Sequence, residues 1–96
     1  MRVILSPEAL RDLEETLAYI AQDSAMNAAN YVAGLREKAM SLGRFPRRFR
    51  TREGLPSGIR VVPHVSHVIL FRIGDDTIDV VRVVHGARNL PGLFGK

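Results

Sequence analysis

Apolar residues recur along this chain at two different periods. Leu10, Leu13, Leu17 and Ile20 fall three or four positions apart, and so do Ala28, Val32, Leu35, Ala39 and Leu42. That spacing predicts two amphipathic helices. Asp12, Glu14 and Glu15 interrupt the first set and are expected on its solvated side. Four other stretches are short and rich in β-branched residues: Arg2–Leu5, Ile59–Pro63, His67–Ile73 and Thr77–Val84. These read as strands.

The punctuation between the stretches agrees with that division. Ser6 can cap the first helix, Pro7 suits its first position and Glu8 complements its dipole. Asp23-Ser24 breaks that helix and can cap the next, and Gly43 is placed to end the second. Two helices joined by two or three residues fold back as an antiparallel hairpin. Residues 54–58 hold two glycines, a proline and a serine and read as a turn. Pro63 ends its strand or places it at a sheet edge. Gly74-Asp75-Asp76 is a hairpin turn that sets Arg72 opposite Asp79, where an ion pair would fix the register. The expected fold is therefore α+β, one domain over residues 1–96. An antiparallel helix hairpin packs on one face of a twisted, mainly antiparallel sheet of about four strands.

The last two strands do not alternate cleanly. Val68 and Leu70 are apolar beside Ile69, Phe71 and Ile73, and Val80 and Val84 beside Val81 and Val83. Apolar residues on both faces imply that both faces are covered. The helix hairpin covers one. Loops and the C-terminal tail, or a partner protein, cover the other.

Charge sharpens this picture. Residues 1–43 hold four cations and six acids, a net of −2, and residues 44–96 hold ten cations and four acids, a net of +6. Twelve of the 14 cations are arginine, which favours planar contact with carboxylate or phosphate. The basic half should face an anionic partner. With no cysteine, disulfides, thiolate catalysis and cysteine-held metals are excluded. No apolar run approaches membrane-spanning length, and the apolar start is too short for a secretion signal, so the expected location is cytoplasmic. His64 and His67 lie three apart without a third ligand, so neither a metal nor another cofactor is expected.

The connector Phe45–Arg52 has neither helical nor strand periodicity. Arg47, Arg48, Arg50 and Arg52 alternate there with Phe45 and Phe49, a pattern like a basic–aromatic single-strand site. Aromatic residues just after a helix end are more simply core anchors, which leaves the arginines free for an acidic protein partner.

The segment Arg82-Val83-Val84-His85-Gly86-Ala87-Arg88-Asn89 puts an imidazole and a guanidinium at the exit of a predicted central strand. Together with Ser6-Pro7-Glu8-Ala9, Leu35-Arg36-Glu37-Lys38 and Phe45-Pro46-Arg47-Arg48, in this order, it resembles the ParE branch of the RelE/ParE toxin superfamily. The resemblance covers essentially the whole chain. It implies the toxin of a type II toxin–antitoxin pair, bound in a hetero-oligomer by a co-encoded ParD-like antitoxin. ParE-type toxins are known for poisoning DNA gyrase by protein contact, whereas RelE-type relatives cleave mRNA on the ribosome. Nucleic acid is then expected to be met only indirectly, through the toxin–antitoxin complex.

Cleavage through the 2′-hydroxyl needs a base, an acid and cations around the phosphorane. Against the RelE pattern, Arg60 and Arg88 match two arginines and His85 is the one titratable candidate, so a nuclease would use Arg60, His85 and Arg88. Arginine is a poor proton shuttle, and Phe94 stands in a tail that has no tyrosine. His85 is more simply a strand-terminal residue bonding a nearby carbonyl. Arg88 is either internally paired or a partner contact, and Arg60 is either a solvated strand residue or a functional one. Arg72 and Arg82 are expected to pair with acids such as Asp79. The reading is a non-enzymatic toxin whose partner-binding residues are Arg47, Arg48, Arg50, Arg52, Arg60, His85 and Arg88. The antitoxin groove is expected between the hairpin and an open sheet face. A RelE-type endoribonuclease and a non-toxic binding module are the alternatives.

Overall fold

The computed structural model of the chain describes residues 1–95. β1 (Arg2–Leu5) leads into α1 (Pro7–Ala21) and α2 (Ala25–Ser41), and a 3-10 turn at Pro46–Arg48 follows. β2 (Arg60–His64), β3 (His67–Ile73) and β4 (Thr77–His85) complete the sheet, and a second 3-10 turn spans Pro91–Phe94. The strand order is β1-β4-β3-β2, so β4 is central as expected and β2 lies at an edge with its Pro63. β1 runs parallel to β4, and the other two pairings are antiparallel.

Both helix starts carry the caps that the sequence predicts. The Ser6 hydroxyl accepts from the Ala9 N–H at 3.0 Å, and the Ser24 hydroxyl accepts from the Asn27 N–H at 3.1 Å. Gly43 acts differently from a left-handed helix cap. Its φ is not positive, and a side chain there would collide with the Met1 carbonyl. The glycine is required by close approach, because the Met1 ammonium donates to the Gly43 carbonyl at 2.8 Å and ties β1 to the end of α2.

The helix hairpin packs on one sheet face through Ala9, Leu13, Leu35, Ala39 and Leu42, against Val62, Ile69, Phe71, Ile78, Val80 and Val83. The opposite face is not open. Ile59, Val61, Val68, Leu70 and Val84 are buried there under Leu90, with Leu55, Leu93 and Phe94 against them. Of the two expected coverings, the chain's own loop and tail provide the cover, and the groove expected on an open sheet face is corrected accordingly.

α1 departs from its predicted orientation. Leu10 and Leu17 are about two-fifths exposed, while Asp12 is 6% exposed. The reason lies in β4. Its pairing with β3 slips between Leu70 and Phe71, so that Phe71 faces Val80 and Leu70 faces Arg82. The extra residue, Val81, makes a bulge that re-aims the strand next to α1. Asp12 then receives Nε and Nη2 of Arg82 at 2.7 and 2.9 Å and the Val83 N–H at 2.9 Å. A carboxylate is buried here because each of its oxygens is bonded. Arg82 therefore pairs with Asp12 and not with Asp79. The Asp12 hydrogen bond, outweighing partial burial of the guanidinium, pushes the Arg82 pKa further up.

The β3–β4 register places Arg72 opposite Asp79 as predicted. No ion pair joins them among the described residues. The Thr77 hydroxyl occupies Asp79 at 3.0 Å, and Arg72 points to the Ser57 carbonyl at 3.5 Å. The β2–β3 turn is Val65-Ser66. Val65 has φ 54°, a region costly for a β-branched residue.

Replacing Asp12 by Ala leaves a partly buried guanidinium and a buried N–H without their acceptor. We expect a loss of about 3 kcal/mol in urea unfolding. Asp12→Asn, which keeps an acceptor for Val83, should lose less. A loss under about 1 kcal/mol for Asp12→Ala would show that the buried pair does not hold the layers together.

Candidate functional site

The main concavity lies at one end of the sheet, between α1, α2 and the last residues of β4. It is a cavity of about 560 Å³ with Ile20, Val83 and Val84 among its apolar walls and Glu15, Thr16, Tyr19, Ser66 and Arg88 among its polar lining. Tyr31, His67 and His85 line it too. It exists because β1 stops at Leu5, opposite Val80, while β4 continues to His85. α1 crosses the uncovered stretch without closing it.

All three histidines of the chain lie at this end of the sheet, His67 and His85 in the cavity and His64 in the neighbouring hollow beside Tyr31. His67 is the cross-strand partner of both His64 and His85. Its ring meets His85 edge-on at 5.6 Å between centroids, and its Nδ1 shares a 2.7 Å hydrogen bond with the Tyr31 hydroxyl. The Tyr31 ring lies 5.3 Å from His67 and 6.4 Å from His64. Sequence reasoning treated His64 and His67 only as a weak ligand pair. A signal was available: Tyr31 sits one turn before Leu35, on the flank of the buried stripe of α2.

His85 is exposed, and its Nδ1 accepts from the Ala87 N–H at 3.1 Å. It thus stabilises its turn through a backbone donor and not through a carbonyl as expected. With Nδ1 so engaged, Nε2 has no hydrogen-bond partner among the described residues. Arg88 is exposed beside it and has no acidic partner among the described residues. No group of three or more histidines and acids among the described residues has metal-binding geometry.

The other expected residues lie elsewhere. Arg60 is half-buried, and its Nη1 donates to the Phe49 carbonyl at 2.7 Å, so it is not a solvated residue. It sits four residues along β2 from His64, about 13 Å away from the histidine end of the sheet. Arg47, Arg48, Arg50 and Arg52 are exposed beyond the C-terminus of α2. Ten residues of helix, about 15 Å, separate Tyr31 from that end. Seven expected partner-binding residues thus divide into an imidazole–arginine end and a connector end. Phe49 packs against the core as expected. Phe45 does not: it is 62% exposed, with the Arg48 guanidinium 5.2 Å above its ring. The 3-10 turn buries Pro46 instead and directs Phe45 outward.

Burial is the largest influence on His67 and lowers its pKa below the ordinary value of 6.5; the charges of His85 and His64 lower it further, against an opposing Asp12. The unfolded chain therefore binds a proton between 6.5 and the lower folded value that the folded chain refuses. Stability is full above pH 6.5 and declines as pH falls through that window. Urea midpoints taken at pH 7.5 and 5.5 should show a larger drop for the wild type than for His67→Gln. Equal drops would show that His67 does not contribute.

The sequence model of the family described as "ParE toxin of type II toxin-antitoxin system, parDE" matches residues 3–90. "Toxin RelE2" of Caulobacter vibrioides is 32% identical over 87 residues, covering 91% of this chain and 97% of that protein. Among solved structures, the chain resembles one from the chromosomal ParDE system of P. aeruginosa with a TM-score of 0.77 at 18% identity, covering 88% of this chain and 95% of that one. It also resembles a chain of the RelBE2 toxin–antitoxin complex of Mycobacterium tuberculosis, with a TM-score of 0.63 at 27% identity and the same coverage. Two helices against a four-stranded mixed sheet is the architecture shared by both. The chain belongs to the ParE toxin family of type II toxin–antitoxin systems, within the ParE/RelE superfamily.

Proposed function

We propose that this toxin acts in the cytoplasm on DNA gyrase by protein–protein contact, and that a ParD-like antitoxin neutralises it. The observation that carries the non-enzymatic reading is the division of the cations. A phosphate-cleaving site needs them around one phosphorane. Here Arg60 is spent on the Phe49 carbonyl, about 13 Å along the sheet from His85 and Arg88. The antitoxin's amphipathic segment lies in the cavity against Ile20, Tyr31 and Val84, with His85 and Arg88 at its mouth. An acidic stretch continues to Arg47, Arg48, Arg50 and Arg52 and contributes salt-sensitive attraction.

One observation favours a second reading, a ribosome-dependent endoribonuclease. His67 supplies the second proton carrier beside His85 that the sequence alone does not reveal. Its lowered pKa keeps it neutral, as a base requires. The two readings part cleanly in cells. Induction without antitoxin should give an SOS response and filamentous cells with intact mRNA. Arrest of translation within minutes, with new mRNA 5′ ends that vanish in His85→Gln, would replace the first reading by the second. Normal growth would instead identify a binding module without toxicity.

The placement of the antitoxin has its own test. Arg48→Glu with Arg50→Glu should weaken the complex roughly tenfold at low salt and much less at high salt. Affinity and salt dependence equal to the wild type would remove the connector from the interface.

A further inference from the structure

The connector combines two features that an acidic protein partner does not require together. Between residues 44 and 52 there are five arginines and no acid. Arg44, Arg47, Arg48, Arg50 and Arg52 are all exposed, and none is in an ion pair among the described residues. Within this segment Phe45 presents its ring to solvent at 62% exposure, with the Arg48 guanidinium over it at 5.2 Å. A phenylalanine left outside forgoes the stabilisation that burying its ring would bring. The neighbouring Phe49 shows that burial is available a few residues away, where it packs on the core beneath Lys38. The fold packs the second ring on the core and leaves the first exposed beneath the Arg48 guanidinium.

We infer that this surface is a stacking platform for single-stranded nucleic acid. A base lies against the Phe45 ring, and the flanking arginines bind the phosphates on either side. The chemistry is specific in its parts. Guanidinium forks match phosphate oxygens, and an exposed aromatic face accepts any unstacked base, which a paired duplex does not offer. An acidic peptide satisfies the arginines but leaves the ring without a partner. A small cavity of about 120 Å³ lies between Phe45 and Phe49, edged by Lys38, Arg44 and Arg48. This surface shares its arginines with the proposed antitoxin contact, so the two occupants exclude each other there; it does not depend on whether gyrase is the toxin's target, and it lies at the opposite end of α2 from the histidine cavity.

Anisotropy of fluorescein-labelled dT20 and rU20, titrated with the full chain separated from its antitoxin, tests the platform. Binding in the micromolar range at 50 mM salt is expected, with a log–log salt slope of about −2 to −3 for three or four phosphate contacts. Phe45→Ala should weaken binding by roughly tenfold with the slope unchanged, and Phe45→Trp should restore it. Arg47→Gln with Arg50→Gln should flatten the slope by about 1 to 1.5. Phe45, Arg47 and Arg50 are exposed, so circular dichroism and urea midpoints should match the wild type. The ratio of dT20 to rU20 affinity assigns the natural strand to DNA or RNA; binding of either supports the platform. No saturable binding at 50 mM salt overturns it. So does binding that Phe45→Ala leaves intact, since that would mark a site for anionic chains in general.

Discussion

The buried carboxylate of Asp12 is the contact on which the layers depend. β4 is nine residues long and its parallel partner β1 only four. Past Leu5 the outer edge of β4 would present bare backbone groups, which cost free energy when they lie under a helix without partners. α1 supplies those partners from its own side chains. The Ser6 hydroxyl, already the helix cap, donates to the Val81 carbonyl at 2.9 Å, and Asp12, two turns on, accepts the Val83 N–H. Arg82 neutralises the charge so introduced. The helix thus continues the work of a strand. The cost of burying an ion pair often exceeds its Coulombic gain, so this arrangement is better understood as fixing where α1 lies than as a source of net stability.

That fixed position has a functional consequence. Because α1 crosses β4 at Asp12, its last turn with Tyr19 and Ile20 stands away from the end of the strand, and the cavity opens beneath it. On the far wall, Tyr31 of α2 reaches His67 of β3. The cavity is therefore bounded by two polar stitches, one at each side, and its floor is the end of the central strand. A hairpin docked only by apolar packing could slide along the sheet, since hydrophobic contact is not directional. Directional bonds to Val83 and His67 hold it in one place.

Much of this was legible in the residues. Strand and helix positions, both serine caps, the central place of the last strand and the Arg72–Asp79 register follow from local pattern, and local pattern is what a sequence displays. The failures share a cause. A carboxylate at a helical position is assigned to solvent because burial without partners is prohibitive, yet the partners of Asp12 stand 70 and 71 residues away on a bulged strand. The bulge at Val81 has no composition signature among consecutive valines. The covering of the second sheet face by Leu55, Leu90 and Phe94 is one of two expectations, and local pattern does not choose between it and a partner. Phe45 and Phe49 look alike in sequence, and only the 3-10 turn between them decides which one points inward. The candidate site suffered most, since its histidines converge from three strands while Arg60, matched by motif, is committed to the connector's backbone.

The layered architecture also turns the uneven charge of the sequence into an uneven charge of the surface. The segment with net −2 contains β1 and both helices, and the segment with net +6 contains the connector and the rest of the sheet. Glu8, Glu14 and Glu15 lie exposed on α1, while the connector arginines project beyond the end of α2. An anionic chain approaching by diffusion is repelled along the hairpin and drawn to the connector end. Any acidic or phosphate-bearing partner is therefore expected to make first contact there, about 15 Å from the cavity at the other end of α2. A long, flexible partner can span that distance after capture, and a compact one cannot. The fold thus separates the surface that attracts from the concavity that holds, and the helix between them sets the minimum reach of whatever occupies both.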